Sequence, residues 1–159
     1  MLKHAVLGAV LLIATPVAGY EALDKAGFQD FSSLVATSTS WVNEEGSTMT
    51  ISVSATDEVT GQYVNHAQGT GCQNTPYPIS GRVNGQFIAF AVAWNNGTQN
   101  CNSTTGWTGY ARQNNDGTLQ IVTDWNLSYQ AGSGPAIDSG SDLFSYVAPS
   151  TGDDLPMKE

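Results

Sequence analysis

Within Ser47–Ala55 the chain alternates hydroxyl and apolar side chains from Thr48 onward. Met49, Ile51 and Val53 share one face, and Thr48, Thr50, Ser52 and Ser54 share the other. A period of two marks a strand buried on one side, and the same texture recurs along the chain. Trp41-Val42-Asn43 opens the series, and Glu44-Glu45-Gly46 turns it into the alternating run. Thr56-Asp57-Glu58 is the next turn, before a strand over Gly61–Ala67. Tyr77–Val83 follows, then the hairpin signal Asn84-Gly85 and the most apolar run, Gln86–Trp94. Gly106–Gln113 and Thr118–Tyr129 flank a second hairpin signal, Asn114-Asn115-Asp116-Gly117. A Gly/Ser-rich link, Ala131–Ser141, leads to a last strand over Asp142–Val147.

Eight strands, short turns and no amphipathic run long enough for a crossover helix predict an all-β protein with an antiparallel sheet. In up-and-down order, eight strands close into a β-barrel wide enough for one small ligand. A sandwich is the competing architecture. It calls for Greek-key connections where this chain offers hairpins.

The ends read differently from the middle. Lys3 and His4 precede the apolar run Ala5–Ala14, and small residues follow it. That is the pattern of a secretory signal over residues 1–19, cut near Gly19–Tyr20, and the apolar run is too short to span a bilayer. The domain is expected over 20–148, with a helical turn near Glu21–Lys25 and with Phe28, Phe31, Leu34 and Val35 packing onto the barrel. Residues 149–159 read as a mobile acidic tail. Export, to the outside of the cell or the periplasm, makes a Cys72–Cys101 disulfide the expected state of the two cysteines. Each reads as lying in a polar loop. Two buried free thiols or an intermolecular bridge are the alternatives. With 5 basic against 14 acidic residues the chain has no basic stripe to meet phosphates, so neither nucleic acid nor an anionic membrane is an expected partner.

Parity then sorts the side chains. Taking the Met49 face as the core places Ser47, Tyr63, Asn65 and Asp142 inward, with Asn43 beside them, among Trp94, Trp107 and Trp125. Unpartnered, each such buried polar group costs roughly 1–3 kcal/mol. They therefore either satisfy one another or await a ligand in a small-molecule cavity. The tryptophans by themselves read as readily as core, and Trp41 is assigned there.

Seven short motifs stand in order through Ser40–Ala148: W-x-N-x-x-G-S-x-M (Trp41 to Met49), T-G-x-Y (Thr60 to Tyr63), Y-P-I-S-G-R (Tyr77 to Arg82), A-W-x-N (Ala93 to Asn96), S-T-T-G-W-T-G (Ser103 to Gly109), T-D-W-x-L (Thr123 to Leu127) and G-S-D-x-F (Gly140 to Phe144). In this order the chain resembles the avidin/streptavidin family. The cysteine-bearing loops make it most similar to the short dimeric avidins of the rhizavidin type. The resemblance implies non-catalytic, high-affinity binding of biotin inside the barrel, with no cofactor. It implies that Asn43, Ser47 and Tyr63 donate to the ureido oxygen and that Asp142 accepts from a ureido N–H. Asn65, where streptavidin carries a serine, would do the same. It implies Thr105 for the thioether sulfur, Trp94, Trp107 and Trp125 for the walls, and Ser103 with Asn102 for the valeryl carboxylate. The loop from Asn65 to Thr75 would close the mouth, pinned in advance by Cys72–Cys101.

One departure bears on assembly. Tetrameric relatives insert a neighbour's tryptophan into each site from the segment before the last strand. Ala131–Ser141 holds none, which implies a homodimer whose sites are each complete within one chain. Sequestering biotin outside the cell would be the purpose. A hydrolase would need an activated nucleophile or a carboxylate pair, and this interior offers one carboxylate and no histidine. His66 alone makes no metal site. A lipocalin-like or lectin-like barrel carrying another small ligand is the alternative, since fold does not decide function.

Overall fold

The computed structural model describes residues 30–148. The expected signal, the helical turn near Glu21–Lys25, Phe28 and the acidic tail lie outside the described residues. The strands are β1 (Ser38–Val42), β2 (Thr48–Val53), β3 (Glu58–Val64), β4 (Pro76–Asn84), β5 (Phe87–Asn95), β6 (Asn100–Gln113), β7 (Leu119–Ala131) and β8 (Gly134–Val147). Each pairs antiparallel with its neighbours in sequence. β8 returns to β1 through Ser40↔Val147, Trp41↔Tyr146 and Val42↔Ser145, closing an up-and-down barrel. Closure leaves no free sheet edge to pair with another chain.

Alternation fills the barrel as it predicts. On β5, Ile88, Phe90, Val92 and Trp94 are buried, while Phe87, Ala89, Ala91 and Ala93 face out. On β2 the buried set is Met49, Ile51 and Val53. These meet Ile121, Phe144, Tyr77 and Trp41, all fully buried, in one core. Each large side chain so buried contributes about 1.5–3 kcal/mol.

The two ends differ. The β2–β3, β4–β5 and β6–β7 turns share one end, which a 3-10 turn at Phe31–Leu34 closes. Asp30 caps that turn through the Ser32 N–H, and the Phe31 N–H donates to Gly85 O at 2.9 Å. Phe31 and Leu34 are buried, with Val35 packed beside them. The Gly85–Gln86 turn it binds lies one residue beyond the expected Asn84-Gly85 position, with Gly85 at φ +60° as a type II′ hairpin requires. The remaining connections gather at the other end.

The structure corrects the sequence reading at four places. Ala131–Ser141 is not a link: β7 and β8 pair from Gln120↔Ser145 to Ala131↔Gly134. Its small residues conceal a strand because a neighbouring ring needs their space. A Cβ on Gly140 would stand 2.4 Å from Trp125 Cζ2. Cys101 is not in a loop either, because β6 begins at Asn100 after an irregularity at Ala93/Asn95. Lastly, β1 ends at Val42, leaving Asn43 in the β1–β2 turn, and β3 begins at Glu58, inside the expected turn.

Candidate functional site

Because side chains alternate, the ends of β3, β5, β6, β7 and β8 point polar and aromatic groups into one space at the open end. A cavity of about 220 Å³ lies there. β3 and its exit supply Tyr63 and Asn65, β5 supplies Trp94, and β6 supplies Ser103, Thr105 and Trp107. Trp125 comes from β7, Asp142 from β8, and Asn43 and Ser47 from the β1–β2 turn. A larger depression, about 580 Å³, dents the outer wall over β3–β5 beside the Arg82–Glu58 ion pair, but it is open to solvent.

A connected network holds the polar half. Trp107 Nε1 donates to Asp142 Oδ2 at 2.7 Å, and Asn43 Nδ2 donates to Asp142 Oδ1 at 3.3 Å. Asn43 Oδ1 accepts the Ser47 N–H at 2.8 Å. Ser47 Oγ accepts the His66 N–H at 3.0 Å and lies within reach of the Tyr63 hydroxyl. Among the described residues, no buried side-chain nitrogen or oxygen is left unpartnered. The interior polar groups thus satisfy one another, and the site is built before any ligand arrives. Glu44 extends the scaffold: where β1 stops pairing with β8, Glu44 Oε2 takes the Leu143 N–H at 2.9 Å.

Burial is the main reason the Asp142 carboxyl is held above its ordinary value. Glu44 and Glu45 push the same way, against the Trp107 and Asn43 hydrogen bonds. Burial, and then the Asp142 charge, push the Tyr63 hydroxyl far up, so it remains a donor at neutral pH. Tyr63, Ser47 and the second hydrogen of Asn43 Nδ2 can therefore serve one acceptor, while Asp142 keeps lone pairs for a donor beside it.

The aromatic half is locked by stacking. Trp107 stacks with Phe90 (centroids 4.9 Å, planes 9° apart) and with Tyr63 (5.2 Å, 28°). Trp94 meets Tyr63 edge-on at 5.7 Å, and its Nε1 donates to Thr105 Oγ1 at 2.8 Å. With their N–H groups engaged, Trp94 and Trp107 present only ring surface. Trp125 is half-buried. Trp41 is fully buried, with its Nε1 on Thr39 Oγ1, and belongs to the core as expected.

The β3–β4 loop is tied by two devices. Asn65 Nδ2 donates to Thr70 Oγ1 (2.8 Å) and to Gly71 O (2.9 Å), and Asn65 Oδ1 accepts the Ala67 N–H (3.0 Å). Asn65 is thus the loop's organiser as well as a cavity residue, a role its side-chain type alone did not reveal. The second tie is the Cys72–Cys101 disulfide (Cα–Cα 6.1 Å), which fastens the loop to β6. A Cβ on Gly71 would lie 2.8 Å from Cys101 Sγ.

Of the sequence-selected residues, only Asn102 falls outside the cavity lining. It is exposed, and its N–H is taken by Asn100 Oδ1 at 2.8 Å. It precedes Ser103 on β6, so parity turns it outward. The lining also includes Glu45 and Leu127, to which the sequence assigns no role, and Ala67, Thr70 and Gly71 of the loop expected to close the mouth. Leu127 shares the Trp125 face and was legible by alternation. The others sit in turns, where no periodicity points. No cluster of three or more His, Cys, Asp or Glu able to hold a metal exists among the described residues.

Comparison with known proteins agrees with this geometry. Residues 32–147 match the family described as the Avidin family. Afifavidin from Afifella pfennigii is 47% identical over 136 residues, 86% of this chain and 84% of that protein. The crystal structure of rhizavidin superposes with a TM-score of 0.77 at 59% identity, covering 84% of this chain and 98% of rhizavidin. The rhizavidin–biotin complex does so with a TM-score of 0.71 at 62% identity, covering 74% of this chain and 98% of that one.

Proposed function

The chain belongs to the avidin family, and from that premise we propose that it is a non-catalytic protein binding biotin in its barrel, with no cofactor. The observation that carries the reading is the pairing of three donors with one half-buried carboxylate beside tryptophan walls.

The chemistry assigns each group a task. Asn43, Ser47 and Tyr63 donate to the ureido oxygen, and preorganised donors stabilise the negative charge drawn onto it. Asp142 accepts one ureido N–H. Asn65 Oδ1, which holds the Ala67 N–H at 3.0 Å, accepts the other in place of its long 3.5 Å bond from Ser47 Oγ, which releases the Ser47 hydrogen for the ureido oxygen. Thr105 accepts from Trp94, which frees its own hydrogen for the thioether sulfur. Trp94, Trp107 and Trp125 sandwich the bicyclic ring, and Ser103 meets the valeryl end. The cavity of about 220 Å³ suits a compact ligand, below the roughly 300–1,000 Å³ of most small-molecule sites. Its polar cluster sets it apart from the greasy interior of a lipocalin-like carrier.

The protein is exported behind its N-terminal signal, to the outside of the cell or the periplasm, where it sequesters biotin. It works as a homodimer whose sites are each complete within one chain. The motive is the absence of tryptophan from the β7–β8 hairpin tip, where tetrameric relatives supply one to a neighbour.

Calorimetric titration with biotin in the low micromolar range tests the site. Saturable one-to-one binding, strongly weakened by Asp142→Ala in a folded protein, is expected. No saturable heat, or an Asp142→Ala protein that binds unchanged, would overturn the assignment.

A further inference from the structure

Two Asn-Gly steps stand at turns of the barrel, Asn84-Gly85 at the closed end and Asn96-Gly97 at the open end. This dipeptide can cyclise. The glycine N–H gives up its proton, its nitrogen bonds to the asparagine Cγ, and the carboxamide nitrogen leaves as ammonia. Water then opens the five-membered imide at either carbonyl, giving aspartate or isoaspartate. The reaction needs a free glycine nitrogen and a carboxamide able to swing over it, and the missing Cβ of glycine leaves that approach open.

The fold withholds both at Asn96. Its Nδ2 donates to Pro76 O at 3.1 Å, and its Oδ1 accepts the Thr98 and Gln99 N–H groups at 3.0 and 2.8 Å. The Gly97 N–H is itself taken by Asn95 Oδ1 at 3.1 Å. Asn84 is the opposite case. It is exposed, and among the described residues neither its carboxamide nor the Gly85 N–H has a hydrogen-bond partner. A Cβ placed on Gly85 would meet nothing within 4 Å. The main chain of Asn84 is held by the closing pair of its hairpin, Asn84↔Phe87, so turning it into the attacking conformation opens one rung at the end of a ladder.

The attachment to this turn gives the reaction a consequence. The Phe31 N–H donates to Gly85 O at 2.9 Å, which docks the 3-10 turn that carries buried Phe31 and Leu34. An isoaspartyl link routes the main chain through Cβ and lengthens it by one bond of roughly 1.5 Å, immediately before Gly85. Either product also adds a carboxylate next to Val83, whose N–H is bonded to Asp57 O, at the end where Asp30 caps the docked turn.

We propose that Asn84 is a spontaneous modification site, whose conversion to aspartate and isoaspartate loosens the Phe31–Leu34 closure and leaves the opposite end of the barrel as it was. Loss of ammonia makes the change one-way in water, so the closed end records the age of the molecule.

The test ages the full chain at mildly alkaline pH, folded and in guanidinium chloride, and follows both steps by peptide mapping. In the folded protein Asn84 is expected to convert at least about ten-fold faster than Asn96, the difference of one or two net hydrogen bonds. In denaturant the two rates should be equal. In the converted protein the Phe31 N–H should exchange with solvent about ten-fold faster than in fresh protein, while the Leu143 N–H, held by Glu44 at the open end, keeps its rate. Asn84→Gln cannot close the five-membered ring and should retain the slow Phe31 exchange through the same incubation. Conversion of Asn96 as fast as Asn84, a rate difference that persists in denaturant, unchanged Phe31 exchange after conversion, or an equal acceleration at Leu143 would each overturn the proposal.

Discussion

Replacing Cys72 and Cys101 together by serine separates two jobs that the disulfide performs. The bridge spans 29 positions of sequence. In the chain-entropy treatment a closed loop of that size contributes about 3.6 kcal/mol by restricting the unfolded chain. The effect on the site is smaller and separable. Asn65 still binds Thr70 and Gly71 without the bridge, so most of the β3–β4 loop keeps its order. Cys72 itself loses its covalent tie. Freeing about one residue, at about 1–2 kcal/mol, predicts biotin binding weaker by roughly 5- to 30-fold. Urea unfolding of the ligand-free protein, compared at equal slope, measures the first quantity, and a biotin chase measures the second. If stability falls by the expected amount while biotin release is unchanged, the clamp does not preorganise the mouth. If release accelerates by several orders of magnitude, the Asn65 network does not hold the loop, and the division of labour argued above is wrong.

Other substitutions probe the remaining parts. Gly140→Ala puts a methyl group 2.4 Å from Trp125 Cζ2, so the ring must move; calorimetry should show biotin binding roughly ten-fold weaker. Tyr63→Phe keeps the stacked ring but removes one donor to the ureido oxygen, again weakening biotin about ten-fold with little change in unfolding midpoint. Asp142 makes a pH prediction. Its carboxyl is raised in the fold, so the native state holds the proton more tightly than the unfolded chain does. Stability therefore falls as pH rises through the window between its ordinary and raised values, and the penalty persists at neutral pH. Asp142→Asn should raise the midpoint at neutral pH while weakening biotin. The wild-type protein should bind biotin less well as pH falls through the same window, and the variant should lose that dependence; a titration from about pH 3.5 to 7 reads both.

Alternation made most of the barrel legible. The runs with bulky apolar residues, such as Gln86–Trp94, announced both strand and facing. The halves of strands that failed to announce themselves are built from small or polar residues. Gly140 has no side chain because Trp125 occupies its place, and that is a fact about the neighbouring strand. Nothing local to Ala131–Ser141 contains it. The site followed the same division. Tyr63, Trp107 and Asp142 follow from parity on their strands. Glu44, Glu45, Thr70 and Gly71 act from turns, and they become visible only when β1, β3 and β8 are brought together. Asn102 is a case where parity held the answer, since a residue adjacent to inward Ser103 on one strand faces outward.

The separation of Trp41 from the other three tryptophans has an optical consequence. Trp94, Trp107 and Trp125 line the cavity, whereas Trp41 sits in the sealed core with its own partner in Thr39. A ligand entering the barrel must alter the surroundings of three emitters and leave the fourth untouched. The protein thus carries three intrinsic reporters of occupancy and one internal reference, so intensity changes can be normalised within a single molecule without attaching a dye.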